Sequence, residues 1–212
     1  MRPTTLGSTG LEVSALGLGT VELGMPYGLG KVSPPDDDVC IRLLHHAVDR
    51  GISFIDTAAT YGRSEELIGR AFAGRACPVI ATKVALRDAD GTVWTGDRIP
   101  SQVRASIDRS RRLLGVDCLD LVQIHNADES VTSDPVLTET MEAHLLAGDV
   151  GNWGASTYGR EAPQAVIDLG APLRTLQVAY SVLDRTLEAE LFPSYQQAGA
   201  GLIVRSVFLQ GV

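Results

Sequence analysis

The chain has 212 residues, of which 44% are hydrophobic and 21% are charged, and its formal net charge is −8. A chain of this length and composition buries a substantial core when it folds, which excludes the disordered and fibrous classes. Nucleic-acid binding depends on clustered Lys and Arg that neutralise phosphates, so the acidic balance argues against a nucleic-acid partner.

Targeting signals and metal motifs are absent from the sequence. No apolar run approaches the roughly 18 residues of a membrane span, and the N-terminus lacks the apolar stretch of a signal peptide. We therefore expect a cytoplasmic protein with no membrane partner. Cys40, Cys77 and Cys118 are far apart and odd in number, so neither a disulfide framework nor a metal site is expected.

Short apolar runs alternate along the chain with amphipathic segments of helical length. Turn signals lie between Gly7 and Gly10, and a short β segment is expected at this N-terminal end. Seven apolar runs predict strands, at 16–20, 53–56, 79–83, 119–125, 152–156, 175–179 and 202–206. Six segments between them predict helices, at 36–50, 64–72, 100–114, 134–146, 160–169 and 187–198.

This alternation indicates a parallel sheet with helical crossovers, either an open doubly wound sheet or a (β/α)8 barrel. An open sheet that binds a dinucleotide should carry GxGxxG at its first strand–helix turn. Gly17, Gly19 and Gly24 do not fit that spacing, which counts against the open sheet.

Three polar residues favour the barrel. Asp56, Lys83 and His125 end the second, third and fourth predicted strands. In a barrel the carboxyl ends of all strands meet at one mouth, where catalytic residues collect. We therefore expect these three side chains to converge on one site.

The predicted barrel is one unit short. A complete barrel has eight units and typically about 250 residues, whereas seven strands use up this chain. We therefore predict a TIM-type barrel that lacks its last β/α unit, as a single domain over residues 1–212. Unpaired edges on the first and seventh strands invite pairing, so we expect a homodimer that covers the gap.

Lysine is rare in this sequence, and one of the few lysines, Lys83, ends a predicted strand. Of the 18 basic residues only Lys31 and Lys83 are lysines, and only an ammonium can give up a proton near neutral pH. Tyr61 lies five positions after Asp56, and a phenol needs help to act as an acid or base at neutral pH. We expect Lys83 to supply that help by lowering the pKa of Tyr61, with Asp56 holding the ammonium. His125 would hydrogen-bond a substrate oxygen beside the phenol.

The motifs around these residues resemble those of the aldo-keto reductase family over nearly the whole chain. The most specific is the DTAxxYGxSE pattern that begins at Asp56. Weaker matches are LGLGT ending at Thr20, ATK ending at Lys83, LVQIH ending at His125, GDVGNWGAS ending at Ser156 and RSVFLQG beginning at Arg205. All four positions of the family's catalytic tetrad are matched, by Asp56, Tyr61, Lys83 and His125.

The resemblance implies a barrel that binds NADPH, or alternatively NADH, and moves a hydride between the nicotinamide and the carbonyl carbon of an aldehyde or ketone. Tyr61 would protonate the oxygen, Lys83 and Asp56 would tune Tyr61, and the carbonyl would be oriented by His125. The same matching assigns Ser156 and Gln177 to the nicotinamide carboxamide, Ser206, Phe208 and Gly211 to the pyrophosphate, and Thr20 and Trp94 to the substrate mouth.

Three departures from the family pattern leave alternatives open. Thr157 stands where many members have Asn, and Arg205 stands where many have an aromatic that stacks on the nicotinamide. The family's adenosine 2′-phosphate site and much of its adenine grip would lie beyond Val212. One alternative is therefore a cofactor-independent lyase, dehydratase, isomerase or cyclase that uses the same tetrad. Another is a non-enzymatic regulatory relative.

Overall fold

The computed structural model describes residues 2–28, 30 and 32–208. The chain begins with an antiparallel hairpin of β1 (Pro3–Thr5) and β2 (Glu12–Ser14), which is the expected N-terminal β segment. The seven parallel strands that follow form a single sheet in chain order. They are β3 (Leu18–Gly19), β4 (Phe54–Asp56), β5 (Val79–Ala85), β6 (Leu121–Ala127), β7 (Trp153–Thr157), β8 (Leu173–Ala179) and β9 (Gly201–Arg205).

The sheet curls into an incomplete barrel, which confirms the predicted architecture and all seven strands. Each strand pairs in parallel with its neighbour in sequence, so every connection is a crossover. β3 and β9 are the two edges of the sheet. The homodimer expected to cover these edges stays a prediction.

Helices cover the outer face of the sheet. They are α1 (Val21–Gly24), α2 (Asp37–Asp49), α3 (Ser64–Phe72), α4 (Arg98–Leu114), α5 (Glu129–Thr132), α6 (Pro135–Ala147), α7 (Glu161–Leu169) and α8 (Leu187–Ala198). The six long helices were expected from the sequence, whereas α1 and α5 are single turns too short to show a period of 3.6 residues. None of the helices in the described part of the chain could span a membrane.

Local signals set the helix boundaries, as α6 illustrates. The carboxylate of Asp134 caps its N-terminus by accepting a hydrogen bond from the backbone N–H of Val136 at 3.0 Å, and Pro135 occupies the first turn. Gly148 ends the helix at φ 74°, a left-handed conformation in which glycine carries no steric penalty. The chain therefore turns at Gly148 and reaches β7 a few residues later, at Trp153.

The barrel interior is apolar at one end and polar at the other. Leu6 and Val13 of the N-terminal hairpin pack with Phe54 and Leu121 at the beginnings of β4 and β6, and Ile203 of β9 completes this interior cluster. A separate and larger core lies between the sheet and the helices. The interior is thus closed by apolar side chains at the end where the strands begin, which leaves the carboxyl end for polar groups.

Candidate active site

The carboxylate of Asp56 is the hub of the polar interior. Its Oδ2 accepts a hydrogen bond from Nζ of Lys83 at 2.7 Å, and its Oδ1 accepts from Nε2 of Gln123 at 3.1 Å and from Nε2 of Gln177 at 2.8 Å. Nζ of Lys83 also donates to the backbone carbonyl of Thr57 at 2.8 Å. Three strands other than its own therefore supply donors to this one carboxylate, which fixes its orientation.

Lys83 is one of the largest fully buried side chains, with 1% of its surface exposed. Burial lowers the pKa of this ammonium, and the Asp56 carboxylate opposes that shift by stabilising the charged form. A buried ammonium is expected only where it is paired and hydrogen-bonded, and both conditions hold here.

Tyr61 and His125 lie above this ion pair. Their ring centroids are 5.9 Å apart with the planes at 80°, and Nζ of Lys83 lies 5.1 Å from the centroid of the Tyr61 ring. Nδ1 of His125 is 3.4 Å from the hydroxyl of Thr60. The four residues that the sequence placed on separate strands and loops thus meet at one site.

Two glycines hold the Tyr61 loop against α1. A Cβ at Gly24 would lie 1.8 Å from the carbonyl oxygen of Tyr61, and a Cβ at Gly62 would lie 2.2 Å from the carbonyl oxygen of Gly24. Gly62 is also in the left-handed region at φ 54°. Backbone therefore packs directly on backbone, and this contact fixes the height of Tyr61 above the barrel.

The protonation states of the two upper residues follow from their surroundings. Burial, together with the negative charge of Asp56, raises the pKa of Tyr61 above its ordinary value. Burial, reinforced by the positive charge of Lys83, lowers the pKa of His125 to about 4. At neutral pH the site therefore presents a phenol that keeps its proton and an uncharged imidazole. Burial and Asp56 thus decide the direction of the shift in the protein alone, and the expectation that Lys83 lowers the pKa of Tyr61 stays a prediction.

Residues on β7, β8 and β9 form the other side of the mouth. Ser156 is buried on β7 and lies in register with Gln177 on β8. Ser206 follows β9 at φ 59°, and 79% of the surface of Phe208 is exposed. Gly211, the remaining residue assigned to the pyrophosphate, lies outside the described residues.

The two residues expected to line the substrate mouth have different surroundings. Thr20 is fully buried, and its hydroxyl donates to the backbone carbonyl of Asp56 at 3.0 Å and accepts from the Ser64 hydroxyl at 2.7 Å. It joins β3, β4 and α3, and it does not line the mouth, because none of its surface is exposed. The Trp94 indole lies in the loop after β5 and donates to Oδ1 of Asp88 at 3.0 Å.

Two site residues were not found from the sequence. Gln123 is fully buried, and its second amide atom, Oε1, has no hydrogen-bond partner among the described residues. A polar residue two positions before His125 in an otherwise apolar strand was the available signal, because alternate residues of a strand share a face. The sequence identified Arg205 only as a departure from the family pattern. Its contacts with Thr157 and Tyr158 could not be predicted, because they depend on how the strands pair.

The residues on β7–β9 fit a nicotinamide cofactor. A carboxamide needs one acceptor and one donor, and the hydroxyl of Ser156 and the amide of Gln177 offer both functions side by side. The buried Nε of Arg205 has no acceptor in the described protein, so a donor at this side of the mouth is unused. Asp56 already engages Nε2 of Gln177, which leaves the carbonyl Oε1 as the acceptor of that amide.

Comparisons with known proteins agree with this geometry. An aldo-keto reductase of Pseudomonas aeruginosa superimposes with a TM-score of 0.80 at 30% identity, over 95% of this chain and 76% of that protein. The holo form of aldo-keto reductase AKR11C1 from Bacillus halodurans gives 0.82 at 28% identity, over 100% and 68%. An aldo/keto reductase of Klebsiella pneumoniae, solved with NADP and acetate, gives 0.75 at 25% identity, over 97% and 68%.

The match is also found at the level of sequence families. The pattern of the Aldo/keto reductase family fits residues 15–212, which is nearly all of the chain. The fold, the order of the strands and this match agree, and the chain therefore belongs to the aldo/keto reductase family.

Proposed function

We propose that the protein is an NADP(H)-dependent oxidoreductase that reduces an aldehyde or ketone to an alcohol, or catalyses the reverse reaction. The observation that carries this proposal is the position of the Tyr61 phenol, whose ring centroid lies 5.1 Å from Nζ of the buried Lys83, which is itself paired with Asp56. The NADP-bound relative supports the choice of cofactor, and NAD(H) is the alternative.

Tyr61 is the proton donor of the proposed reduction. A carbonyl oxygen that gains negative charge as hydride reaches the carbon needs a proton, and a phenol is the nearest acid. Burial keeps the hydroxyl protonated until that charge develops. As the proton leaves, the ammonium of Lys83 stabilises the phenolate, because opposite charges attract strongly at this depth.

His125 orients the carbonyl group. Its ring meets the Tyr61 ring at a steep angle, and its lowered pKa leaves the imidazole neutral at physiological pH. A neutral imidazole donates one hydrogen bond without competing with Tyr61 for the role of acid. The carbonyl oxygen would therefore lie between the phenol and the imidazole.

When bound, the dinucleotide supplies the hydride to the carbonyl carbon. Ser156 and Gln177 would hold its carboxamide, and Ser206 and Phe208 would lie along its pyrophosphate. Since Gln177 also donates to Asp56, one amide links the nicotinamide side of the mouth to the carboxylate that holds Lys83.

A titration with NADPH, followed by nicotinamide fluorescence, tests the proposal. Saturable binding and oxidation of the bound cofactor by members of an aldehyde panel are expected. Absence of binding at millimolar NADPH would contradict the proposal. Tyr61→Phe should retain NADPH binding and lose turnover by about 10²-fold or more, since it lacks only the transferable proton.

A second candidate function is acid/base catalysis without a cofactor, as in a lyase, dehydratase, isomerase or cyclase. One observation favours it: the donors to Asp56 are the protein's own Lys83, Gln123 and Gln177 side chains, so the protein itself supplies the acid/base set. Turnover in the absence of nicotinamide that disappears in Tyr61→Phe would support this function.

A further inference from the structure

Arg205 places a cation at the mouth of the barrel. Ile203, two residues earlier on β9, packs in the interior cluster, so the alternation of the strand turns Arg205 toward the same interior face. Arg205 is the last residue of β9 and lies at the end where Tyr61 and His125 project. Its side chain therefore belongs to the wall of the site.

The guanidinium is held firmly by neutral groups. Nη2 donates to the backbone carbonyl of Thr157 at 2.7 Å, and Nη1 lies 3.3 Å from the hydroxyl of Ser206. The Cζ atom lies 3.9 Å from the centroid of the Tyr158 ring, which is a stacked cation–π contact. These contacts fix the position of the group but leave its charge intact.

The charge of Arg205 is not compensated by any carboxylate in the described part of the protein. Other arginines differ: Arg98 is paired with Asp88 at 2.5 Å, and Arg185 with Glu188 at 2.6 Å. Nε of Arg205 is buried and also lacks an acceptor among the residues that the structure describes. Among the residues of the site that the structure describes, the other cation, Lys83, is paired with Asp56.

The field of this charge reaches the reacting groups. The positive charge of Arg205 contributes to lowering the pKa of Lys83 and of His125, and it opposes the rise in the pKa of Tyr61. Hydride transfer requires the donor carbon to approach the carbonyl carbon to about 3–3.5 Å, and Tyr61 holds the carbonyl oxygen. The nicotinamide ring must therefore also lie within this field.

We infer that Arg205 makes the site select the reduced dinucleotide over the oxidised one. The nicotinamide ring is neutral in NADPH and carries a positive charge in NADP⁺, because the hydride leaves with both electrons of its C–H bond. A fixed, uncompensated guanidinium repels only the oxidised ring. This inference rests on the proposed function and assigns to Arg205 a role in cofactor discrimination.

Isothermal titration of the protein with NADPH and with NADP⁺ tests the inference without an activity assay. We expect the Kd for NADP⁺ to exceed the Kd for NADPH by about tenfold or more, which corresponds to about 1.4 kcal/mol. For a two-electron couple, a tenfold preference raises the midpoint potential of the bound cofactor by about 30 mV. Equal dissociation constants in the unmodified protein would overturn the inference.

Variants separate the charge from other effects on binding. Arg205→Gln should lower the ratio of the two dissociation constants by about fivefold to tenfold, whereas Arg205→Lys, which keeps the charge, should retain most of it. Arg174→Gln is a matched control, because Arg174 lies at the opposite end of the adjacent strand β8 and donates to the backbone carbonyl of Ser8. It should leave the ratio unchanged.

The outcomes distinguish the inference from the proposed function. If neither nucleotide binds the unmodified protein, the proposed function fails and the inference fails with it. If both bind and Arg205→Gln leaves their ratio unchanged, only the inference is overturned. If Arg205→Gln does not fold, the ratio in the unmodified protein and in Arg205→Lys decides.

Discussion

The two sides of the barrel mouth differ in how completely the protein satisfies its own polar groups. On the acid/base side, at the ends of β4–β6, the Asp56 carboxylate receives three donors and Lys83 is buried and paired. On the side proposed to hold the cofactor, at the ends of β7–β9, Arg205 has no carboxylate partner among the described residues and Nε of its guanidinium has no acceptor there. The first side thus satisfies its charges within the protein, whereas the second keeps a charge and a donor that the described protein does not satisfy, as the proposed function requires.

The largest expected effect comes from breaking the ion pair of the acid/base side. Lys83→Met leaves the Asp56 carboxylate facing the barrel interior without its cation, which should destabilise the fold by about 3–5 kcal/mol. It should also lower kcat/KM for carbonyl reduction by about 10²-fold, since the phenolate of Tyr61 loses its stabilising charge. Urea unfolding and steady-state kinetics measure the two effects.

The double variant Lys83→Met with Asp56→Asn controls for this loss of stability. Removing both charges eliminates the unpaired carboxylate, so most of the stability should return while the activity stays low. If the single variant were as stable as the unmodified protein, the buried ion pair would not be a stabilising element of this site.

A smaller effect is expected from Gln123→Leu. The apolar side chain has a similar size but removes one donor from Oδ1 of Asp56, so kcat should fall by about tenfold while the KM for NADPH stays nearly constant. Gln164→Leu is a matched control, because Gln164 is an exposed residue on α7 that donates to Asp168. A loss confined to the KM for NADPH would show that Gln123 acts on the cofactor side.

A change of pH near neutrality should affect kcat/KM for reduction less than any of these substitutions. Because the pKa of Tyr61 is raised, the phenol keeps its proton through neutral pH, and kcat/KM for reduction should fall only in the alkaline range, where Lys83, whose pKa burial lowers, or Tyr61 loses its proton. His125 becomes charged only as the pH falls through its pKa of about 4, so a second decline is expected there. In His125→Gln the acid decline should disappear and the alkaline decline should persist. A reduction rate that falls between pH 6 and pH 8 would contradict these protonation states.

The sequence predicted what depends on local pattern. The strands, the six long helices and the convergence of Asp56, Lys83 and His125 all follow from periodicity and from the rule that parallel strands end at a common edge. The DTAxxYGxSE pattern added Tyr61, whose loop position has no periodic signal.

Contacts across strands could not be predicted in the same way. The hydrogen bonds from Gln123 and Gln177 to Asp56 depend on strand register and side-chain rotamers, which a single sequence does not specify. The burial of Thr20 depends on its partner Ser64, which lies 44 positions further along the chain. The raised pKa of Tyr61 likewise depends on how deeply its loop packs, which Gly24 and Gly62 determine together.

The most direct test of the central claim follows the hydride itself. NADPH that carries deuterium at the transferred position of C4 is oxidised by the protein with an aldehyde, and the alcohol is examined by mass spectrometry and NMR. If the nicotinamide side and the Tyr61 side act on one substrate, the deuterium appears on the carbinol carbon and the hydroxyl proton comes from Tyr61 and solvent. An alcohol without deuterium at that carbon, or consumption of substrate with no oxidation of NADPH, would contradict the account.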